Sequence, residues 1–219
     1  MTAAHVIRGM EKACALPGPV ACQIGDDVRF DPGGKHGLIA IDDDIDLATF
    51  RISAMEVRSI GKTVLTGYQK EWPPSPPQRD RGVTYAGFPG VSQLWLSRRE
   101  ISFGICPGGG VASSVSETDV SSLIERQHMM DVMATGLPPE DFDFRGISGG
   151  PMLTMIENKG LRSWQLAGVL YEGPNPSDDA AQAIAGLEII RARRAHFLLP
   201  NGNLDVRRWA HAKGWSADR

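Results

Sequence analysis

A chain of 219 residues, 42% hydrophobic and 22% charged, carries enough apolar side chain for a packed core, as one large domain or two small ones. Its net charge of −3 argues against nucleic acid or an anionic membrane surface as partner, because both call for a basic field. No apolar run reaches the roughly 20 residues of a membrane helix, and no basic-then-apolar leader opens the chain, so with Met1 as the start the expected compartment is the cytoplasm.

Three cysteines, Cys14, Cys22 and Cys106, cannot form a full disulfide framework and fit no tetrahedral zinc spacing; reduced thiols are expected over a Cys14–Cys22 bridge. With 25 glycines, 15 prolines and little helical periodicity, the composition predicts an all-β chain of short strands and tight turns.

In chain order, Met1–Val6 places small residues around His5, unlike an ordinary frayed terminus. Strand-like runs follow at Val20–Ile24, Val28–Phe30, Leu38–Ile41 and Ile45–Ile52, with Asp42-Asp43-Asp44 read as a solvated acidic turn. A β-type segment over 62–68 leads to Trp72–Arg81, whose prolines 73, 74, 76 and 77 cannot continue a sheet. Strands resume at Val83–Phe88, Gln93–Leu96 and Ile101–Ile105; Pro107-Gly108-Gly109-Gly110 reads as a loop. A short helix capped by Asp119 or Ser121 is predicted over 119–133, with Met129, Met130 and Met133 as packing residues. Pro151–Ile156 and Trp164–Tyr171 read as strands, Ala183–Ile190 is a further apolar run, and a terminal helix is expected after an Asn203 cap, stopping at Gly214.

Three short motifs carry chemistry: Thr2-Ala3-Ala4-His5, Asp46-Leu47-Ala48, and Gly146-Ile147-Ser148-Gly149-Gly150-Pro151. Glycines around Ser148 allow a hydroxyl and neighbouring N–H groups to be presented together, which acyl transfer requires. Taken alone, that motif also reads as a plain Gly-Ser loop. A serine hydroxyl needs a base beside it, histidine titrates near working pH, and the base needs a carboxylate to fix its tautomer. The remaining histidines, His36, His128, His196 and His211, read as surface or interfacial residues; His128 with Asp131 is too few ligands for a metal.

In this order the motifs resemble those of the chymotrypsin/trypsin-like serine peptidases, including their bacterial branch, where T-A-A-H carries the general base, D-[LI]-A the orienting aspartate and G-x-S-G-G-P the nucleophile. Val83–Pro89 also resembles the opening strand of the family's second barrel, and Leu166–Gly173 its substrate-flanking strand, so the resemblance spans nearly the whole chain. It implies two six-stranded antiparallel β-barrels and a C-terminal helix. Residues 1–72 would form a partial first barrel with His5 and Asp46, 73–82 the linker, 83–200 the barrel with Ser148, and 201–219 the helix. It further implies a serine endopeptidase acting on a peptide or protein substrate without cofactor or metal. His5 would be the base, Asp46 the orienter and Ser148 the nucleophile, with the N–H groups of Gly146 and Ser148 as oxyanion hole. Tyr171, Glu172 and Gly173 would pair with an extended substrate.

Departures refine this expectation. Phe142 stands where the family floors its primary specificity pocket; it offers no charge to Lys or Arg, so an apolar or small-residue preference is expected. Ile147 stands where zymogen-activated members carry an aspartate, so that activation route is not expected. Only four residues precede His5, where the family has strands. The first barrel is therefore expected to be incomplete with an open edge, which raises a catalytically impaired, peptide-binding relative as the alternative. A further alternative is an α/β-hydrolase esterase using Gly146–Gly150, Asp178 or Asp179, and His196 or His211. That fold needs a helix directly after the serine, which Gly149-Gly150-Pro151 disfavours.

Overall fold

Alternation of apolar and polar residues along six segments of the second half closes them into an antiparallel barrel in the computed structural model. The described residues are 1–17, 20, 22–24, 28–31, 34, 36–61, 64, 72–97, 100–131, 136–139, 142–174 and 188–214. The barrel strands are β5 (Gly82–Gly87), β8 (Cys106–Val115), β9 (Asp119–Ile124), β10 (Pro151–Asn158), β11 (Leu161–Glu172) and β12 (Glu188–Arg194). Around the barrel they run β10-β11-β12-β9-β8-β5, and β5 pairs back to β10 with Met152 opposite Tyr85 and Thr154 opposite Val83. Val83, Tyr85, Val120, Met152, Leu170 and Ile190 fill the interior, joined by Phe144 and Ile147 from the loop that carries Ser148.

Two expectations fail in this region. The described part of the expected 119–133 helix, residues 119–131, is not a helix: Val120, Ser122 and Ile124 are buried while Asp119, Ser121 and Leu123 are less so, a period of two that makes β9 a strand between β8 and β12. Only a 3₁₀ turn, Arg126–His128, follows, and Met130 is exposed rather than packed; Met133 lies outside the described residues. Pro107–Gly110 is likewise strand, not loop. Tyr85 lies across Gly108, where a Cβ would stand 2.6 Å from the ring Cζ, so only glycine admits that ring over the neighbouring strand.

The first half contributes β1 (Gln23–Ile24) with β2 (Val28–Arg29), and β3 (Leu38–Asp42) with β4 (Leu47–Phe50), each pair a two-stranded antiparallel sheet. Its helices are α1 (Ala4–Cys14), which the sequence reading did not anticipate, and α2 (Ala54–Ser59). A third two-stranded sheet, β6 (Gln93–Ser97) with β7 (Glu100–Phe103), is separate from the barrel sheet, with Leu94, Trp95 and Leu96 exposed. The β-type reading of 62–68 falls almost wholly outside the described residues.

Successive residues of a strand face opposite ways, so while Leu170 enters the barrel, Val169 faces out. There it meets Ile45 and Leu47 of the first half, Phe197 and Leu198, and Leu204 and Trp209 at the C-terminal helix α3 (Val206–Ala212), forming a second core. The proline-rich connection lies along this side: Trp72 donates Nε1–H to the Leu198 carbonyl at 2.6 Å, and Gln165 donates to the Ser75 carbonyl at 2.9 Å. Helix α3 starts two residues later than expected, because Asp205 rather than Asn203 caps it by accepting from the Arg208 N–H. Among the described residues no helix is long and apolar enough to cross a membrane.

Two histidines read as surface residues are buried. His36, 1% exposed, accepts the Asp31 N–H at Nδ1 and donates Nε2–H to Glu56, which also caps α2 through Ser53. His196, 6% exposed, packs edge-on to Phe197, and burial beside Arg194 and Arg208 pushes its pKa down to about 4.

Candidate active site

His5 sits in the first turn of α1, whose buried face is Ala3, Ala4 and Ile7. The preceding residue pair is held by an isolated antiparallel bridge: Thr2 N–H donates to the Ala48 carbonyl and Ala48 N–H to the Thr2 carbonyl, both 2.9 Å. Small side chains at 3 and 4 permit this close docking onto β4, the strand that begins directly after Asp46. Sequence-distant residues are thereby brought together. Asp46 Oδ2 lies 2.8 Å from His5 Nδ1, and Oδ1 accepts the His5 backbone N–H at 2.9 Å. One carboxylate thus grips both ring and backbone. With Nδ1 carrying the proton for Asp46, Nε2 is the ring atom left to accept another. The hydrogen bond to Asp46 raises the His5 pKa above its ordinary 6.5, against a smaller opposing effect of desolvation.

The aspartates of the neighbouring turn are not merely solvated. Asp42 Oδ1 accepts the N–H groups of Asp44 and Ile45 at 3.0 and 2.8 Å, and Arg8 of α1 meets Asp43 with two parallel bonds of 3.0 Å. That fork–fork pair ties helix to turn; being exposed, it supplies geometry more than stability. Asp46 itself has φ +59°, a conformation that costs a non-glycine residue about 1 kcal/mol or more.

Ser148 lies in the loop between barrel residues Phe144 and Pro151. The loop is stapled to β11 by Gly149 N–H on the Leu170 carbonyl (2.7 Å) and Leu170 N–H on the Gly150 carbonyl (2.8 Å). Gly146 and Gly149 have φ of +101° and +90°, where glycine is favoured. Thr2 packs directly on Gly149, so the segment bearing His5 touches the loop bearing Ser148. The Ser148 hydroxyl donates to the Tyr171 carbonyl at 3.3 Å; among the described residues no hydrogen bond joins it to His5. The N–H groups of Gly146 and Ser148 find no protein acceptor among the described residues.

The other expected site residues fall around this loop. Phe142 packs edge-on to Phe144 (5.0 Å) against the barrel core, and its carbonyl accepts from Arg126 at 3.1 Å. Glu172 pairs with Arg191 at 2.9 Å, and a Cβ on Gly173 would stand 3.1 Å from Ile147. Ile147 is 3% exposed and packs in the core, so no carboxylate occupies that position. His5, Asp46, Tyr171 and Arg193 share a cleft of about 520 Å³ with Arg8, Lys12, Asp43 and Asp44. Burial and then the Asp119 charge push the Tyr171 hydroxyl up to about 12, so it holds its proton near neutrality.

Thr2, the first residue of the His5 motif, acts as a spacer on Gly149, while two contributors carried no local sequence signal: Arg8 as a clamp, and Arg193, whose Nε donates to the Ile45 carbonyl at 2.6 Å. No family model, curated protein or solved structure matches the chain.

Proposed function

We propose that this chain is a serine endopeptidase of the chymotrypsin-like, two-barrel type. The observation that carries the reading is the His5–Asp46 pair, with the ring half exposed in a cleft walled by Tyr171, the residue whose carbonyl receives the Ser148 hydroxyl. In the reaction His5 Nε2 takes the Ser148 Oγ proton as oxygen attacks the scissile carbonyl. Asp46 keeps the tautomer and steadies the imidazolium. The oxyanion is held by the N–H groups of Gly146 and Ser148. His5 then returns the proton to the leaving amine, and water, deprotonated by the same ring, hydrolyses the acyl-enzyme. The backbone of Tyr171–Gly173 pairs with the substrate strand, and Phe142, uncharged and packed inward, favours small or apolar side chains in the primary pocket. Catalytic hydrogen bonds are commonly loose before substrate arrives, consistent with a serine hydroxyl resting on Tyr171.

A strand, β10, rather than a helix follows Ser148 in an antiparallel barrel, an arrangement that does not support the esterase alternative. The test is covalent labelling by a fluorophosphonate, read by intact mass. One adduct on the parent and none on Ser148→Ala is expected. Folded parent that remains unlabelled up to mildly alkaline pH would sink the reading and leave the peptide-binding alternative.

A further inference from the structure

Asp46 orients the imidazole, and its own backbone, at φ +59°, must in turn be held. On one side the Asp42 carboxylate caps the turn. On the other, the Ile45 side chain is fully buried in the second core while its carbonyl receives Arg193 Nε. That carbonyl belongs to the peptide plane joining Ile45 to Asp46. Fixing it fixes the plane from which the Asp46 φ is measured, and therefore the aim of the carboxylate. Arg193 is built for a single position: it is 7% exposed, pairs through a terminal nitrogen with Asp119, and lies between the rings of Tyr171 and Trp209 at 4.4 and 4.6 Å. Asp119 is itself held by the Thr118 hydroxyl at 2.5 Å.

The geometry points to Arg193 as the positioning residue of the site, a barrel side chain that reaches across to set Asp46 and, through it, His5. Its effect on catalytic rate rests on the peptidase reading; its effect on the His5 ring does not.

The sign of one measurement separates positioning from simple charge. The charged and titratable groups around His5 are Arg8 and Lys12 on α1, Asp43, Asp44 and Asp46 on the turn, and Tyr171 and Arg193 on the barrel. If Arg193 acted only as a nearby positive charge, removing it would favour the imidazolium and raise the His5 titration midpoint. If it aims Asp46, removing it weakens the bond that holds the proton, and the midpoint falls towards the ordinary histidine value. Arg193→Lys keeps the charge but loses the planar fork; positioning predicts a fall here too, whereas charge alone predicts no change.

The experiment is proton NMR titration of His5, assigned with His5→Gln, in the parent, Arg193→Lys and Arg193→Met, with thermal unfolding as control. A lowered midpoint in both folded variants is expected, with fluorophosphonate labelling slowed roughly 10- to 100-fold. A midpoint unchanged or raised overturns the inference. If Arg193→Met does not fold, Arg193→Gln, which loses the charge but keeps a polar head group, is titrated in its place with the same expected direction, again opposite to that of charge loss alone. Absence of labelling in the parent would count against the peptidase reading alone, because the titration is read without it.

Discussion

Replacing Gly149 by alanine tests whether the loop of Ser148 and the segment of His5 are one mechanical unit. At φ +90° a side chain costs about 1–2 kcal/mol. The added Cβ would also strike the Thr2 hydroxyl and stand 3.1 Å from Thr2 Cβ and 3.2 Å from its Cα. Overpacking of this kind costs about 1–3 kcal/mol, so accommodation in place costs about 2–5 kcal/mol. The alternative is to release Thr2 from Ala48, giving up two backbone hydrogen bonds at about 0.5–1.5 kcal/mol each. Release costs about 1–3 kcal/mol in all, no more than the overpacking it relieves, and the φ cost stays either way. Gly149→Ala should therefore lower denaturant stability by about 2–5 kcal/mol and accelerate amide exchange at Thr2 and Ala48, with labelling of Ser148 slowed. Thr2→Gly, which removes the struck side chain, should recover part of the stability in the double variant. A Gly149→Ala protein within about 0.5 kcal/mol of its parent, with unchanged exchange at Ala48, would refute this reasoning.

Other outcomes follow from the same contacts. Because the folded His5 pKa is raised, its small contribution to stability is complete below the ordinary histidine value and is lost as pH climbs through the folded value; labelling, which needs the neutral base, rises over that window, and a fall would contradict the assignment. Asp46→Asn should leave the fold intact and cut the labelling rate by about four orders of magnitude, measured by stopped or quenched kinetics. Glu56→Ala removes the carboxylate that accepts the buried His36 Nε2–H and the Ser53 N–H and hydroxyl together, so a loss of about 2–4 kcal/mol is expected in denaturant melts. Leu170→Ala opens the centre of the barrel, where the side chain is fully buried, and should cost about 2–5 kcal/mol by the same assay.

The pairing of His5 with Asp46 could be anticipated because each sits in a short motif whose residue types have a chemical reason to meet. The barrel strands were readable where apolar residues alternate, as in Val83–Phe88 and Pro151–Ile156. Reading failed where composition and environment disagree. Pro107–Gly110 looks like a loop, yet its glycines are required by the Tyr85 ring on the adjoining strand. Val120, Ser122 and Ile124 alternate correctly for a strand, but Asp119 and Ser121 read as caps of a short helix. Arg193 was invisible for a different reason: in the run Arg191–Arg194, nothing local distinguishes the side chain that crosses to Ile45 from Arg191, which pairs with Glu172 in the open. Tertiary partners drawn from distant segments leave no periodicity behind.

The second core has a consequence for how the protein comes into being. Ile45 and Leu47, the residues flanking Asp46, are packed by Val169, Phe197, Leu198, Leu204 and Trp209, all of which leave the ribosome after more than a hundred further residues have been made. The six barrel strands, by contrast, all lie between residues 82 and 194 and pair only with one another. Contacts of such long sequence separation form late. The nascent chain must therefore carry its His5 and Asp46 segments undocked through most of translation, and the cleft is assembled only when the barrel and the chain beyond it are available as a template.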